Sequence, residues 1–442
     1  MPTLDSLHDA LERGSQTEIN TLLNELHPSE LADILESLPQ KQRDNLWQNL
    51  EQDKILPYLN DAVRVELMQD MPAAQVATAA EGMDTDDAVD LLQDLSDEMV
   101  EEVLLKMERQ HYQRLRQVLF YPEDSAGGLM NTDFLVVRTD MTLIMVLSYL
   151  RHFNELPEKT DVLMVVDSKN HYHGVLSITD LLTQSPNLTV QKVMCSDIEA
   201  IPATMSAHEV ALLFEQRDLV SAPVLDKDGI LVGRITIDDV VDVMRAEADH
   251  NLMGAAGLDE EDDMFAPILK TSRDRALWLG INLATAFLAA YVIGLFAATL
   301  EQIVALAVLM PIVASMGGIA GSQTLTIMIR GMALGQITDN NTPYLLRKEL
   351  AVSFLNGLTW AMVVAIIAIL WFGSLKLGLI IGSALIINLF CAALAGVLIP
   401  LLLRRLSIDP ALAGGVILTT VTDVIGFAAF LGLATVFLVN FS

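Results

Sequence analysis

Leu418-Thr419-Thr420-Val421-Thr422-Asp423-Val424-Ile425-Gly426 sets a carboxylate deep in a long apolar segment, with hydroxyls before it and a glycine after it. In the sequence no other charge stands near the middle of such a segment. A charged side chain at bilayer depth costs about 2.5–3.5 kcal/mol on insertion scales, so it normally faces a bundle interior or a water-filled path. An ion pathway is the first reading of Asp423. The competing one is an Asp that only hydrogen-bonds neighbouring helices, with Thr419 and Thr422 at hand to take part.

Working outward, five segments are long and apolar enough to span a membrane: Ala276 to Leu300, Ile303 to Ile329, Leu350 to Phe372, Leu377 to Leu403, and Ala411 to Val439. Each exceeds the ~20 helical residues that cross a ~30 Å hydrocarbon core. Lys270, Arg273 and Arg275 precede the first span, Arg330, Arg347 and Lys348 lie between the second and third, and Arg404 and Arg405 follow the fourth. These groups fall on one face while the other carries only Lys376, which makes the first face cytoplasmic and puts the C-terminus outside. The second span contains Pro311-Ile312-Val313-Ala314-Ser315-Met316-Gly317-Gly318-Ile319-Ala320-Gly321-Ser322-Gln323-Thr324. Proline frees a backbone carbonyl and small residues admit another backbone or an ion, which at depth requires cover by protein or water. The glycines alone fit a packing role equally, but with Gln323, Thr324 and Asp423 they favour a wall of carbonyls and hydroxyls, expected to include Pro311, Gly317, Gly318, Gly321, Thr419, Thr420 and Gly426 and suited to a hard, hydrated cation. Asn356 and Asn388 read as interhelical glue rather than ligands.

The rest of the chain is of another kind. Up to Met264 there are 18 Lys and Arg against 51 Asp and Glu, and beyond it 9 against 6, so an acidic soluble half precedes a membrane half. That charge repels nucleic acid and anionic headgroups and attracts cations. Cys195 and Cys391 lie in different halves and suggest no disulfide framework. The polar N-terminus shows no apolar signal-peptide core.

Between Asn131 and Met244 the chain repeats itself. Val165-Val166-Asp167-Ser168-Lys169-Asn170 through Asp180 matches Val224-Leu225-Asp226-Lys227-Asp228-Gly229 through Asp239, about 60 residues on. Each copy reads as two short strands around a turn, then a helix opened by an acid. The unit resembles a tandem pair of CBS modules, regulatory domains that commonly bind adenine nucleotides. Ser177-x-x-Asp180 and Thr236-x-x-Asp239 fit that family's ribose-contacting spacing, and equally fit ordinary N-cap and first-turn residues. Before the pair, Leu4 to Gln117 is helical in pattern, with a leucine face after capping acids in both His27–Leu38 and Met83–Leu95, pointing to a solenoid-like stack of helix pairs. Asp86, Asp87, Asp90 and Asp94 read as a solvated acidic ridge. From Glu247 to Arg275, including Leu258-Asp259-Glu260-Glu261-Asp262-Asp263, an acidic connecting helix is expected at the cytoplasmic mouth of the membrane domain.

In that order, these parts resemble the MgtE family of bacterial magnesium channels. The strongest motifs are Pro311 through Gln323 and Asp409-Pro410-Ala411-Leu412 with Thr419-Thr420-x-x-Asp423-x-x-Gly426. The resemblance implies a multi-domain membrane protein that is not an enzyme: an all-α N-terminal bundle (1–125), α/β tandem CBS domains (126–246), a connecting plug helix (247–275) and a five-helix transmembrane domain (276–442). It implies a homodimer in the cytoplasmic (inner) membrane, with Asp423 of both chains facing the pore and Mg2+ as substrate and regulator. The implied regulatory acids are Asp87, Asp90, Asp218, Asp239, Asp242, Glu247 and Asp409, whose bridging by Mg2+ holds the channel closed. ATP is implied as a further regulator at Ser177, Asp180, Thr236 and Asp239. The chain departs from the family pattern at Ile319, where Asn is usual, and at Ser206, His208 and His250, where some members carry acids. Open alternatives are a channel for Co2+ or Mn2+, against which the oxygen-only lining argues, and a membrane-anchored nucleotide sensor without transport. No Gly-x-x-x-x-Gly-Lys-Ser/Thr loop for a hydrolytic pump occurs.

Overall fold

The structure, a computed structural model, describes residues 26–439 apart from 69–70, 154–155, 158, 199, 259–264 and 339. Residues 4–25 of the expected helical domain and the acids Asp259 to Asp263 lie outside the described residues. The chain divides into two compact units, residues 1–247 with 261–267 and residues 248–260 with 268–442.

The first unit opens with short helices: α1 (Pro28–Glu36), α2 (Gln40–Trp47), α3 (Gln52–Ile55), α4 (Asp61–Met68), α5 (Ala73–Glu81), α6 (Thr85–Gln93), α7 (Asp97–Lys106) and α8 (Arg109–Val118). Their starts follow the sequence signals. His27 caps α1 in a reciprocal box with Glu30, and the Ser96 hydroxyl accepts from the Met99 N–H of α7. One strongly polar residue lies at the centre: fully buried Arg43 donates to the carbonyls of Leu35 and Leu38 at 3.1 and 3.2 Å and pairs with Glu66 at 2.8 Å. It ties down the carbonyls where α1 ends, adding to the Leu38 N–H that the Leu35 carbonyl already accepts. Arg43→Met keeps the apolar stem but removes both carbonyl bonds and leaves Glu66 without its cation, with an expected loss of about 3 kcal/mol. A lowered thermal midpoint of the detergent-solubilised chain reads this out; an unchanged midpoint contradicts it.

Two three-stranded sheets follow, with orders β1-β2-β3 and β4-β5-β6. The first holds β1 (Val136–Arg138), β2 (Val162–Val166) and β3 (Tyr172–Ser177), with α9 (Leu143–Leu150), α10 (Ile178–Thr183) and α11 (Val190–Val193) around it. The second holds β4 (Ile201–Pro202), β5 (Ser221–Leu225) and β6 (Leu231–Thr236), with α12 (Ala207–Arg217) and α13 (Ile237–Gly254). The repeat is visible in detail. The register shifts at Val165/Val166 in one hairpin and at Val224/Leu225 in the other. Asp167 and Asp226 each accept two backbone N–H groups across their turns, closed by the positive-φ residues Asn170 and Gly229. Each module also gains a short parallel strand, β1 or β4, that the repeat alone does not announce.

The helical domain shares its buried core with the second module and not with the first. Leu92, Val103 and Val118 belong to one cluster with Ala126, Met130, Phe214, Val224 and Ile235, while the first module is built around Val137, Leu143, Leu163 and Leu176. Residues 125–131 make the join. Ala126 and Gly127 donate to the carbonyls of Met205 and Ala203, and Asn131 pairs with Arg234.

The second unit contains α14 (Ile268–Gly294), the short α15 (Ala297–Gln302), α16 (Ala305–Ala333), α17 (Thr342–Phe372), α18 (Leu375–Arg405) and α19 (Pro410–Ala434), the last ending in a π-turn over Thr435–Val439. Five of these are long and apolar enough to cross a membrane. The first span differs from its expected bounds: it starts at Ile268, so Lys270, Arg273 and Arg275 lie in its first turns, and it ends at Gly294 before α15. The expected separate connector is otherwise. Glu247 lies inside α13, which begins in the second module at Ile237 and runs to Gly254. α18 is central and the most buried of the five, whereas α14 is almost wholly exposed within one chain.

Candidate functional site

Helix α19 begins at Asp409, whose Oδ1 accepts the Ala411 N–H at 2.9 Å with Pro410 as first helical residue. Gly414, Leu418, Thr422, Gly426, Phe430 and Ala434 recur at i+4 and are all buried, fixing one face of the helix against its neighbours. The adjacent stripe, Gly415, Thr419 and Asp423, is open: Thr419 is exposed, Asp423 half-buried, and a side chain at Gly415 would meet nothing. The hydroxyls that offered a packing explanation for Asp423 turn elsewhere. Thr419, Thr420 and Thr422 donate to the carbonyls of Gly415, Val416 and Thr419 of their own helix. Among the described residues, Asp423 has neither an ion pair nor a hydrogen bond.

The other expected lining positions separate into two groups. Gly318, Gln323 and Pro311 on α16 and Thr420 on α19 are exposed or half-exposed. Gly317, Gly321 and Gly426 are buried seats for side chains of other helices. A Cβ at Gly321 would stand 2.9 Å from Leu418, and one at Gly426 2.7 Å from Asn388. A buried acid near the start of a candidate span escaped the sequence reading. Glu349 is 6% exposed on α17, with the Thr324 hydroxyl at 3.4 Å and Lys348 Nζ at 3.7 Å. Its signal was the i+4 run Glu349, Ser353, Gly357, Ala361, all buried; it was missed because α17 starts eight residues before the apolar stretch.

In the first unit the acids of α6 do not form one solvated ridge: Asp87 is exposed, but Asp86 is buried and Asp90 half-buried. Asp86 is 8% exposed, accepts from Asn131 Nδ2 at 3.1 Å and is hydrogen-bonded with Asp239. Burial first, and then the facing Asp239 charge, push the Asp86 carboxyl well above its usual range. Asp239 is itself raised by burial and by Asp238, while its Oδ2 accepts from the Thr236 N–H and hydroxyl at 3.1 and 3.0 Å. Loss of hydration, then Asp84 and Asp239, move Asp87 up to about 6. Burial, opposed by Arg64, moves Asp90 up to about 7. Asp94 pairs with Arg64 at 2.7 Å, and Asp242 is raised by burial and Asp238. The cause of all this is the shared core, which lays α6 against the start of α13. Cations stand against these acids: Lys159 pairs with Asp238, and Arg64 with Asp94.

Asp218 and Glu247, in the same unit, do not join that group. Asp218 is exposed in a left-handed C-cap of α12 at φ 51°. Glu247 contacts His208, and Asp409 Oδ2 lies 2.7 Å from His250 Nε2. Ser206 is the N-cap of α12 in a capping box with Glu209. In the first module Ser177 caps α10 through the Thr179 N–H, with Asp180 in the first turn. Among the described residues no three His, Cys, Asp or Glu side chains form a ready-made metal cage. Mg2+ needs none, since it keeps several waters and is held by one or two carboxylates.

Asp86→Asn retains a donor toward Asp239 and removes one buried charge. The expected result is a gain of about 1 kcal/mol in stability at pH 7.5 without divalent ions, shrinking as pH falls and protons relieve the crowded carboxylates. Equal midpoints for variant and wild type at pH 7.5 contradict it.

Residues 310–433 match the family described as a divalent cation transporter, 26–124 the MgtE intracellular N domain, and 126–187 and 190–246 the CBS domain. The magnesium transporter MgtE of Bacillus subtilis (strain 168) is 30% identical over 433 residues, 97% of this chain and 96% of its own. The chain belongs to the MgtE family. The magnesium transporter MgtE of Thermus thermophilus is likewise 30% identical, over 98% of both chains. The cytosolic domain of the Mg2+ channel MgtE, solved in complex with ATP, aligns with 55% of this chain and 100% of its own at a TM-score of 0.50 and 30% identity. The MgtE order of parts is thus the observed one: an all-α N-terminal domain, a CBS pair and five candidate membrane spans.

Proposed function

We propose that this chain is a Mg2+ channel or transporter that imports magnesium across the cytoplasmic membrane and closes when Mg2+ binds its acidic N-terminal unit. The observation that carries the reading is Asp423, an intramembrane carboxylate on the open stripe of α19 with no protein partner among the described residues. A carboxylate is kept at that depth for a cation. In a homodimer with the two α19 stripes facing, a pair of Asp423 carboxylates holds a largely hydrated Mg2+ through its water shell, and pore width adds to selectivity. The sparse cover of α14 within one chain is in keeping with a partner copy or lipid around it. The basic groups around Lys270, Arg347 and Arg404 favour a cytoplasmic N-terminus and an outside C-terminus.

The regulatory part rests on Asp86, Asp87, Asp90, Asp239 and Asp242. Their raised carboxyls mark a place where negative charge is crowded and a divalent ion relieves it. ATP is the proposed second regulator at the CBS pair, supported by the ATP complex of the relative's cytosolic domain. Asp239, which accepts from the Thr236 hydroxyl, belongs to both proposed sites, so nucleotide and Mg2+ would compete for one carboxylate. Mg2+ uptake into liposomes carrying the purified chain tests the transport reading; no uptake above protein-free vesicles rejects it.

A further inference from the structure

Asn388, in the middle of α18, is fully buried in the membrane unit. Its Nδ2 donates to the Val313 carbonyl of α16 at 2.8 Å, while its Oδ1, also buried, has no hydrogen-bond partner. Two glycines leave the room for its amide. A Cβ at Gly317 of α16 would overlap Nδ2, and a Cβ at Gly426 of α19 would stand 2.7 Å from Nδ2 and 3.0 Å from Cγ. An apolar side chain of similar size would fill the same space without an orphan acceptor, so packing alone does not account for an amide here. What the amide supplies is direction. Between membrane helices no hydrophobic force fixes the register, and one hydrogen bond with two close seats does.

Both seats lie on the helices that bear the proposed ion path. Gly426 is three residues from Asp423 on α19, and Gly317 precedes the open position Gly318 on α16. We propose that Asn388 is a positioning residue for transport: it locks α16 and α19 in register through Val313, Gly317 and Gly426, and so sets where Asp423 stands. The inference rests on the transport reading above. It separates the glycines by role, with Gly317 and Gly426 acting as sockets for this amide and Gly318 left open.

The test is Mg2+ uptake into liposomes by wild type, Asn388→Leu, Asn388→Ala, Gly426→Ala and the Asn388→Ala/Gly426→Ala pair, with thermal midpoints in detergent. For Asn388→Leu we expect an uptake about ten-fold lower, a raised half-saturating Mg2+ concentration and weaker preference for Mg2+ over Co2+, at a near-native midpoint. Gly426→Ala alone should lose about as much. Joined to Asn388→Ala it should add little, because the shortened side chain clears the socket. Native half-saturation and ion preference in Asn388→Leu overturn the proposal. If Asn388→Leu does not reach the membrane folded, the double variant decides: losses that multiply overturn the proposal, and losses that do not multiply support it. Absence of uptake by wild type overturns the transport reading and this inference together, whereas wild-type uptake with native variants overturns only the inference.

Discussion

Asp423→Ala is expected to reduce Mg2+ uptake at least about a hundred-fold while leaving the chain folded. A carboxylate ~5 Å from a hydrated dication is worth about 2 kcal/mol even at the dielectric of water, and more where the walls are protein. Two such groups in a dimer exceed the ~3 kcal/mol that corresponds to two decades. Stability should move the other way, if at all, since Asp423 has no protein partner among the described residues to leave unpaired and a charge is removed from the membrane. Asp423→Asn separates charge from shape: it keeps the size and should lose nearly as much uptake. Uptake within three-fold of wild type for Asp423→Ala removes the residue from the pathway.

The second large effect is a pH-dependent stabilisation by Mg2+. The folded-state values of about 7 for Asp90 and about 6 for Asp87 lie above the ~3.9 of an unfolded Asp. Between those limits the native state holds protons that the unfolded chain releases. The stability they contribute is fully present below pH ~4 and is lost as pH rises through 6 and 7. Asp87 opens to solvent, which shrinks its share. For the pair the loss is on the order of 3 kcal/mol between pH 5 and pH 8. Mg2+ binds the deprotonated forms, so it should recover most of this at pH 8 and little at pH 5. In thermal unfolding of the detergent-solubilised chain, a rise of about 5–10 °C with Mg2+ at pH 8 that collapses at pH 5 is expected. A rise that is the same at both pH values, or none at all, contradicts a role for these acids.

The five spans and the doubled strand-strand-helix unit are legible in the chain because each is local. Apolar length makes a span, and Asp167 and Asp226 close matching turns in the two hairpins. What escapes is set by partners distant in sequence. Asp86 looks like one more surface acid until the shared core puts it on Asp239, and nothing within α6 foretells Asn131 as its donor. The threonines around Asp423 are correct as neighbours and different in bonding, because each hydroxyl reaches its own helix before it reaches the carboxylate. His208 and His250, where the resemblance implies acids in some members, meet Glu247 and Asp409 directly. No local pattern announces these contacts, because each joins residues far apart in the chain.

The claim that joins the two units is that cytoplasmic-side Mg2+, acting on the acids of α6 and α13, closes a path through Asp423. It is tested most directly by Mg2+ uptake into liposomes of uniform orientation while Mg2+ is raised on the side bearing residues 26–247. Wild-type uptake should fall steeply as that concentration rises, and the fall should be blunted when Asp87, Asp90 and Asp239 are changed together to Asn. Uptake that follows the Mg2+ gradient alone, equally in both proteins, contradicts it.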